Sequence, residues 1–364
     1  MLTLADTLQV LAPRLPAALA PVAAYASTQA AAARLPAALT EWAYLECRLG
    51  GHPAPPDLIV EVRAGARGLL TGDDPGPGLA PALAANPVWE RVAALARRWA
   101  DPRSPLHTAL YCLWLEFDVS AHPHGAPPLP GVFAGFTPAA ARAGTPARRA
   151  ALAAEALEVL AGGPLDAARR ATLVEAHRCL PAGASMYYVG ILLPRGTDVL
   201  RLCPGDVAAR DLPAYLGAVG WPGDVDALGQ LLRDAGRTRR GAFAPDPALL
   251  HLDLGAQVLP RLGLEMVFDR RAQTRGVLAE GAFMRWLVRH GLCTAPEAAA
   301  LAGFPGCGIE RLPHQLWRSM VMRRVNHVKL VIDGAGPPRA KAYLVLHHRY
   351  WNARTGAAPI AAVV

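Results

Sequence analysis

No two of the six cysteines, at positions 47, 112, 179, 203, 293 and 307, form a Cys-x-x-Cys pair. That spacing argues against a zinc knuckle and against a disulfide framework, and it fits a reducing cytoplasm. No apolar stretch reaches membrane-spanning length without a charge or a proline. Aromatic residues are only 6% of the chain, and the basic residues nowhere form a dense run with aromatics between them. A nucleic-acid partner is therefore not expected. There is no Gly-x-Ser-x-Gly, and no nucleophile has an evident His and carboxylate partner in sequence. The glycine-rich GFPGCG at 303–308 lacks the strand-to-helix setting of a phosphate loop. The first residues, MLTLADTLQVLAPRLPAALAPVAAYAS, imitate a signal peptide. Asp6 stands where positive charge is expected, and Pro13, Pro16 and Pro21 interrupt the apolar run, so short helical pieces are expected instead.

What the chain does have is apolar mass: 52% of 364 residues are hydrophobic, enough for a large core. Alanine, proline, glycine and arginine dominate, the usage of a GC-rich bacterial genome. The net charge of +8 favours anionic partners. Arg237, Arg239 and Arg240 form a basic loop, most simply a solvated one.

The strongest pattern is two-residue alternation, which puts alternate side chains on opposite faces of a strand. It is clearest at 324–350. There His327, Lys329 and Val331 share one face and Val328, Leu330 and Ile332 the other; after a Gly/Pro turn, Lys341, Tyr343, Val345 and His347 alternate with Ala342, Leu344 and Leu346. Four pairs of the same kind precede it. Trp42, Tyr44, Glu46 and Arg48 alternate with aliphatic residues over 42–49, followed by Ile59, Glu61 and Arg63 over 58–64. Cys112, Trp114, Glu116 and Asp118 form the next polar face, with a partner at 132–137. Strands at 185–193 and 198–203 bring Tyr188, Arg201 and Cys203 to one face. In the fourth pair, 249–259 and 262–269, His251, Asp253 and Gln257 are followed by Glu265. Between the pairs lie helices with clear start signals: Asn86-Pro87, Thr145-Pro146, Asp166 and Asp224. Thr294 with Glu297 forms a capping box. A last helix is expected over 312–324.

Five hairpins start roughly 65 to 80 residues apart, a repeat of one supersecondary unit. Short turns join only antiparallel strands, so a parallel sheet is excluded. The expected fold is α+β: an antiparallel ten-stranded barrel built from five hairpins and surrounded by helices, in which closure removes the sheet edges. One domain is expected, with a helical segment at 1–40, the barrel over 41–350 and a tail at 351–364. The helices would cover the aliphatic faces and the polar faces would line the lumen.

This arrangement resembles the αββα-barrel aromatic and peptide prenyltransferases. Lys341-Ala342-Tyr343 is similar to the Lys-x-Tyr strand motif with which tryptophan-type members hold the prenyl diphosphate. The resemblance implies transfer of an allylic prenyl group from its diphosphate to an aromatic, amine or guanidine acceptor, a small molecule or a peptide natural product. It implies no required cofactor, with Mg²⁺ compatible. Such chemistry needs cations on the leaving group, a dry aromatic wall around the allyl cation, and a base for the acceptor. On the lumen face the candidate cations are Arg48, Arg63, Arg201, Lys329 and Lys341, with Tyr343 as donor. Trp42, Tyr44, Trp114 and Tyr188 are candidate shields, and Glu46 and Glu116 candidate catalytic carboxylates. His251, Asp253 and Glu265 are candidate substrate contacts. Two other readings are open: a non-catalytic barrel that binds a peptide or small ligand for a modifying enzyme, and a metal-dependent enzyme using His251, Asp253, Glu116 and Asp118.

Overall fold

The computed structural model describes residues 2–52, 54–73, 78–119, 127–142, 144–238, 249–268, 281–312, 316–334 and 336–350. Arg239, Arg240 and the tail at 351–364 lie outside these residues. Eleven strands are present: β1 (Trp42–Arg48), β2 (Asp57–Arg63), β3 (Leu110–Phe117), β4 (Pro130–Phe136), β5 (Ser185–Ile191), β6 (Leu200–Gly205), β7 (Leu249–Leu254), β8 (Val258–Val267), β9 (Gly306–Glu310), β10 (Ser319–Asp333) and β11 (Arg339–Tyr350). Strands β1 to β8 follow one another in the sheet, β10 pairs with β8, and β11 pairs with both β10 and β1. Ten strands therefore close a ring, antiparallel throughout, and β9 hangs on the outer half of β10. Closure satisfies every edge except that of β9.

The alternation resolves as the pattern demands. Leu45, Cys47, Val60, Val62, Leu113, Leu115, Val189, Leu202, Leu252, Leu264, Val328, Leu330, Ala342 and Leu344 point outward into one continuous core shared with the helices. A separate cluster of Trp42, Tyr44, Ile59, Tyr343 and Val345, with Trp114 against it, lies inside the ring. Each buried aliphatic side chain contributes about 1.5–3 kcal/mol, so it is the outer layer that commits the sheet to this orientation. The helices begin where their caps predict. Asn86 accepts from Val88 N–H to open Pro87–Ala100, whose buried stripe is Trp89, Val92, Leu95, Ala96 and Trp99. Thr145, Asp166 and Asp224 cap the helices Pro146–Ala161, Ala167–Arg178 and Val225–Arg237.

Four details depart from the sequence expectations. The expected helix at 312–324 is replaced from Ser319 onward by the first part of β10, because this stretch finds ladder partners on both sides, β9 and β11, which outweigh its helix propensity. β9 itself was not expected. The fourth hairpin turns at residues 255–257, where Gly255 N–H donates to Gln257 O, not at 260–261. Gln257 thus leaves the lumen face and Arg261 enters the strand, paired opposite Asp333. In β10 a bulge at Asn326 switches the parity, so that Arg324 below it and His327, Lys329 and Val331 above it all face inward.

Candidate active site within the barrel

The strand ends that lead into the five hairpin turns lie at one end of the ring, and most lumen side chains nearest that end are charged. Lys341 sits opposite Arg48 on one side and Lys329 on the other. Its ammonium donates to Glu46 Oε1, and Tyr343 OH donates to Glu46 Oε2. Burial alone would raise the pKa of Glu46, but Lys341 and Lys329 hold it well below the usual carboxylate range. Arg201 grips Asp253 with two hydrogen bonds of 2.7 and 3.0 Å. Asp118 takes Arg195, from the turn Leu193–Arg195, and lies 3.9 Å from Arg48. Asp57 Oδ1 accepts from Val119 N–H at 2.9 Å. Burial, with Glu46 and Asp118 nearby, pushes its carboxyl up to about 8.

Two cations stand apart from this pairing. Among the described residues no carboxylate lies within ion-pair distance of Lys329 or Arg261. Lys329 Nζ is 3.3 Å from His251 Nδ1 and 3.4 Å from Tyr343 OH. Its protonated form is disfavoured by burial and then by Arg201, and Arg261 is disfavoured by burial and then by Arg201 and Arg195. Arg195, Arg201, Arg261, Lys329 and Lys341 border a single space of ≈ 20 Å³, together with Glu46, Glu116 and Asp118.

Next to it, sharing Glu116 and Lys329, is a cavity of ≈ 240 Å³. Tyr44, Trp114, Phe133, Tyr188 and Tyr343 form its walls. Trp114 meets Tyr44 and Tyr188 edge-on at 5.1 and 6.4 Å, and Tyr188 OH is 2.6 Å from Tyr111 OH. His327 stacks on Tyr343 at 4.0 Å and is held neutral by burial, its pKa lowered to about 3. Among the described residues two buried ring nitrogens of the lining, Trp114 Nε1 and His327 Nε2, have no hydrogen-bond partner. Glu265 accepts from His251 Nε2 at 2.7 Å, and burial pushes its own carboxyl up to about 7. Gly263 leaves room here for the stem of Lys329: a Cβ on it would meet Lys329 Cε at 2.8 Å and His251 Cβ at 3.1 Å.

Trp42 lies toward the far end, at the start of β1. Its ring stacks on His347 at 3.8 Å, with the guanidinium of Arg324 at 5.2 Å and that of Arg63 at 5.9 Å. Arg63, half exposed and bridged to Glu61, lies six residues along β2 from Asp57, about 20 Å from the turn end.

The structure thus brings Arg201, Lys329, Lys341, Tyr343, Glu46 and Glu116 together, and gathers Tyr44, Trp114, Tyr188, His251 and Glu265 around the larger cavity. Arg48 is at the turn end beside Asp57 and Asp118. Trp42 and Arg63 are elsewhere. The metal reading needs His251, Asp253, Glu116 and Asp118 to converge. They do not: Asp253 is engaged by Arg201, Asp118 by Arg195 and His251 by Glu265, and the described residues contain no group of three or more His, Cys, Asp or Glu arranged to hold a metal. Sequence reading did not name Arg261, Asp57, Phe133 or Arg195 as candidates, and it put His327 on the polar face without giving it a role. Arg261 shares the parity of Glu265 and Asp57 that of Ile59, so both were available from alternation; Arg195, in a turn, carries no such signal.

No known family model matches the chain, and no curated protein does. Among solved structures it is similar to 5-dimethylallyl tryptophan synthase from Streptomyces coelicolor in complex with DMASPP and Trp, at 18% identity and TM-score 0.42, covering 99% of this chain and 96% of that one. It is similar to the apo form of prenyltransferase PriB at 19% identity and TM-score 0.46, covering 94% of each chain. It is also similar to 6-dimethylallyltryptophan synthase from Micromonospora olivasterospora at 18% identity and TM-score 0.45, covering 83% of this chain and 81% of that one.

Proposed function

We propose that the barrel is a transferase that moves an allylic prenyl group from its diphosphate to an aromatic, amine or guanidine acceptor, free or within a peptide. One observation carries the reading. Lys329 and Arg261, buried and outside ion-pair distance of any described carboxylate, border the charged end, and Lys329 also faces the aromatic-walled cavity. Like charges so gathered are stabilised by an anion, and the diphosphate supplies one whose charge grows as the C–O bond breaks. Tyr44, Trp114, Phe133 and Tyr188 turn π-faces or edges toward the space the allyl cation would occupy and keep water from it. Glu116, common to both spaces, is placed to take the acceptor's proton. Glu46 positions Lys341 and Tyr343.

The space at the turn end holds about one water, so the donor enters only if side chains give way. Asp118 is the group to displace: Arg195 and Arg48 are each about a third or more exposed, and both would exchange it for phosphate oxygens. The same closure favours a second reading, a ligand-binding barrel whose charged end stays shut by its ion pairs.

Calorimetry with dimethylallyl thiolodiphosphate separates the two. Binding is expected in the wild type, weakened about tenfold or more by Lys329→Met and by Arg261→Ala, since a charge-assisted contact is worth at least about 1.4 kcal/mol. No binding, or binding indifferent to both substitutions, overturns the donor site. Intact-mass analysis of aromatic and guanidine acceptors incubated with the diphosphate then tests transfer itself.

A further inference from the structure

One constellation on the cavity wall has no part in that scheme. Cys203 on β6, His251 on β7 and Glu265 on β8 are lumen neighbours on three consecutive strands, and all three line the ≈ 240 Å³ cavity. Cys203 Sγ lies 3.4 Å from His251 Nδ1, and His251 Nε2 lies 2.7 Å from Glu265 Oε1. The tautomer follows from the partners. Lys329, an obligate donor, points its Nζ at Nδ1 from 3.3 Å, so Nδ1 carries the lone pair and Nε2–H is directed at the carboxylate. A thiol within reach of the Nδ1 lone pair, which it shares with Lys329 Nζ, on an imidazole that a carboxylate orients is the arrangement of an activated nucleophile. Cys47 is buried to the same degree but points into the outer core, away from the lumen.

We propose that Cys203, His251 and Glu265 form a nucleophilic thiol site that captures carbon electrophiles bearing an anionic leaving group, so that the chain alkylates itself at Cys203. Sulfur forms a bond to the electrophilic carbon as the bond from that carbon to the leaving group breaks. The leaving group departs with the bonding pair, and the thiol proton passes to His251 Nδ1, where Glu265 stabilises the imidazolium. The product is a thioether on the protein. Burial pushes the Cys203 thiol up against the pull of Lys329 and Arg201, and burial with Lys329 and Arg201 beside it holds His251 well below its ordinary value, so proton removal accompanies bond formation and does not precede it. The leaving group is released beside Lys329, which faces both spaces. If the Proposed function holds, the electrophile is the allylic diphosphate, and capture by Cys203 competes with the acceptor.

The test uses two probes, iodoacetamide and dimethylallyl diphosphate, each followed by peptide mapping of all six cysteines. Cys203 is expected to be modified at least tenfold faster than Cys47, with the effect reduced tenfold or more in His251→Gln and partly restored by added imidazole in His251→Ala. Glu265→Gln provides an independent variant if the histidine changes unfold the chain, and is expected to slow modification severalfold. Equal rates at Cys203 and Cys47 overturn the proposal, as does a Cys203 rate unchanged in both His251→Gln and Glu265→Gln. Labelling by iodoacetamide but not by the diphosphate supports the thiol site and counts against the prenyl donor, so the two conclusions fail separately.

Discussion

Single residues set the chemistry of the lumen through what surrounds them. Gly263 is the smallest example. It leaves room for the stem of Lys329, and an added methyl would sit 2.8 Å from Cε. Gly263→Ala is expected to cost about 1–3 kcal/mol in stability, and to weaken thiolodiphosphate binding more than a comparable change elsewhere in β8, because the ammonium is displaced. Denaturant unfolding and calorimetry on one sample would show both. Asp57 makes a pH prediction. Its folded pKa of about 8 stands above the ordinary value of 3.8, so between these values the native state holds a proton that the unfolded state has lost. Stability contributed by the protonated group is therefore present at low pH and is lost as pH rises through this window. Glu265, raised to about 7, acts in the same direction, whereas neutral His327, lowered to about 3, costs stability as pH falls below its ordinary value of 6.5. Asp57→Asn is expected to flatten the decline in melting temperature toward about pH 8, and a slope unchanged by the substitution would show that Asp57 is ionised in the native protein.

At the scale of elements, the helix Ala295–Gly303 shows how a local signal acquires a distant role. Thr294 and Glu297 form the reciprocal cap that their spacing predicts. Glu297 is also buried, and its two oxygens accept from Gly50 and Gly51 N–H at 3.0 Å, in the turn between β1 and β2. Both glycines have positive φ, a conformation that costs other residues energy. One carboxylate thus ties a peripheral helix to the charged end of the barrel. Glu297→Ala is expected to cost about 2–3 kcal/mol, more than loss of a cap alone, because two turn donors are left unsatisfied. Thr294→Ala should cost only about 1 kcal/mol. Thermal melts of both variants would check the order. The capping box was legible from four residues; the second attachment was not, because nothing in local sequence relates position 297 to position 50. The start of β10 was misread for a related reason. Its state depends on β9 and on the end of β11, neither of which a local window contains.

For the whole molecule, the decisive property is polarity along the barrel axis: charged at the turn end, aromatic in the middle, with the Trp42–His347 stack toward the other end. Arg63→Ala, about 20 Å from the turns, is expected to leave thiolodiphosphate binding within twofold, in contrast to Arg261→Ala. A similar loss in both would mean that the anion lies at the Trp42 end. Alternation along the chain determined the number of hairpins, their antiparallel sense and the face each side chain takes, because a strand's period of two is a local consequence of backbone geometry. It placed Lys329, Lys341, Tyr343, Glu46 and Arg201 on one surface. Which cations would form close ion pairs was decided only by closure of the ring. Register across strands brings Asp253 to Arg201 and Glu46 to Lys341 while keeping Arg261 and Lys329 outside ion-pair distance of the described carboxylates, and Coulomb energies depend on those distances through space, not on separation along the chain.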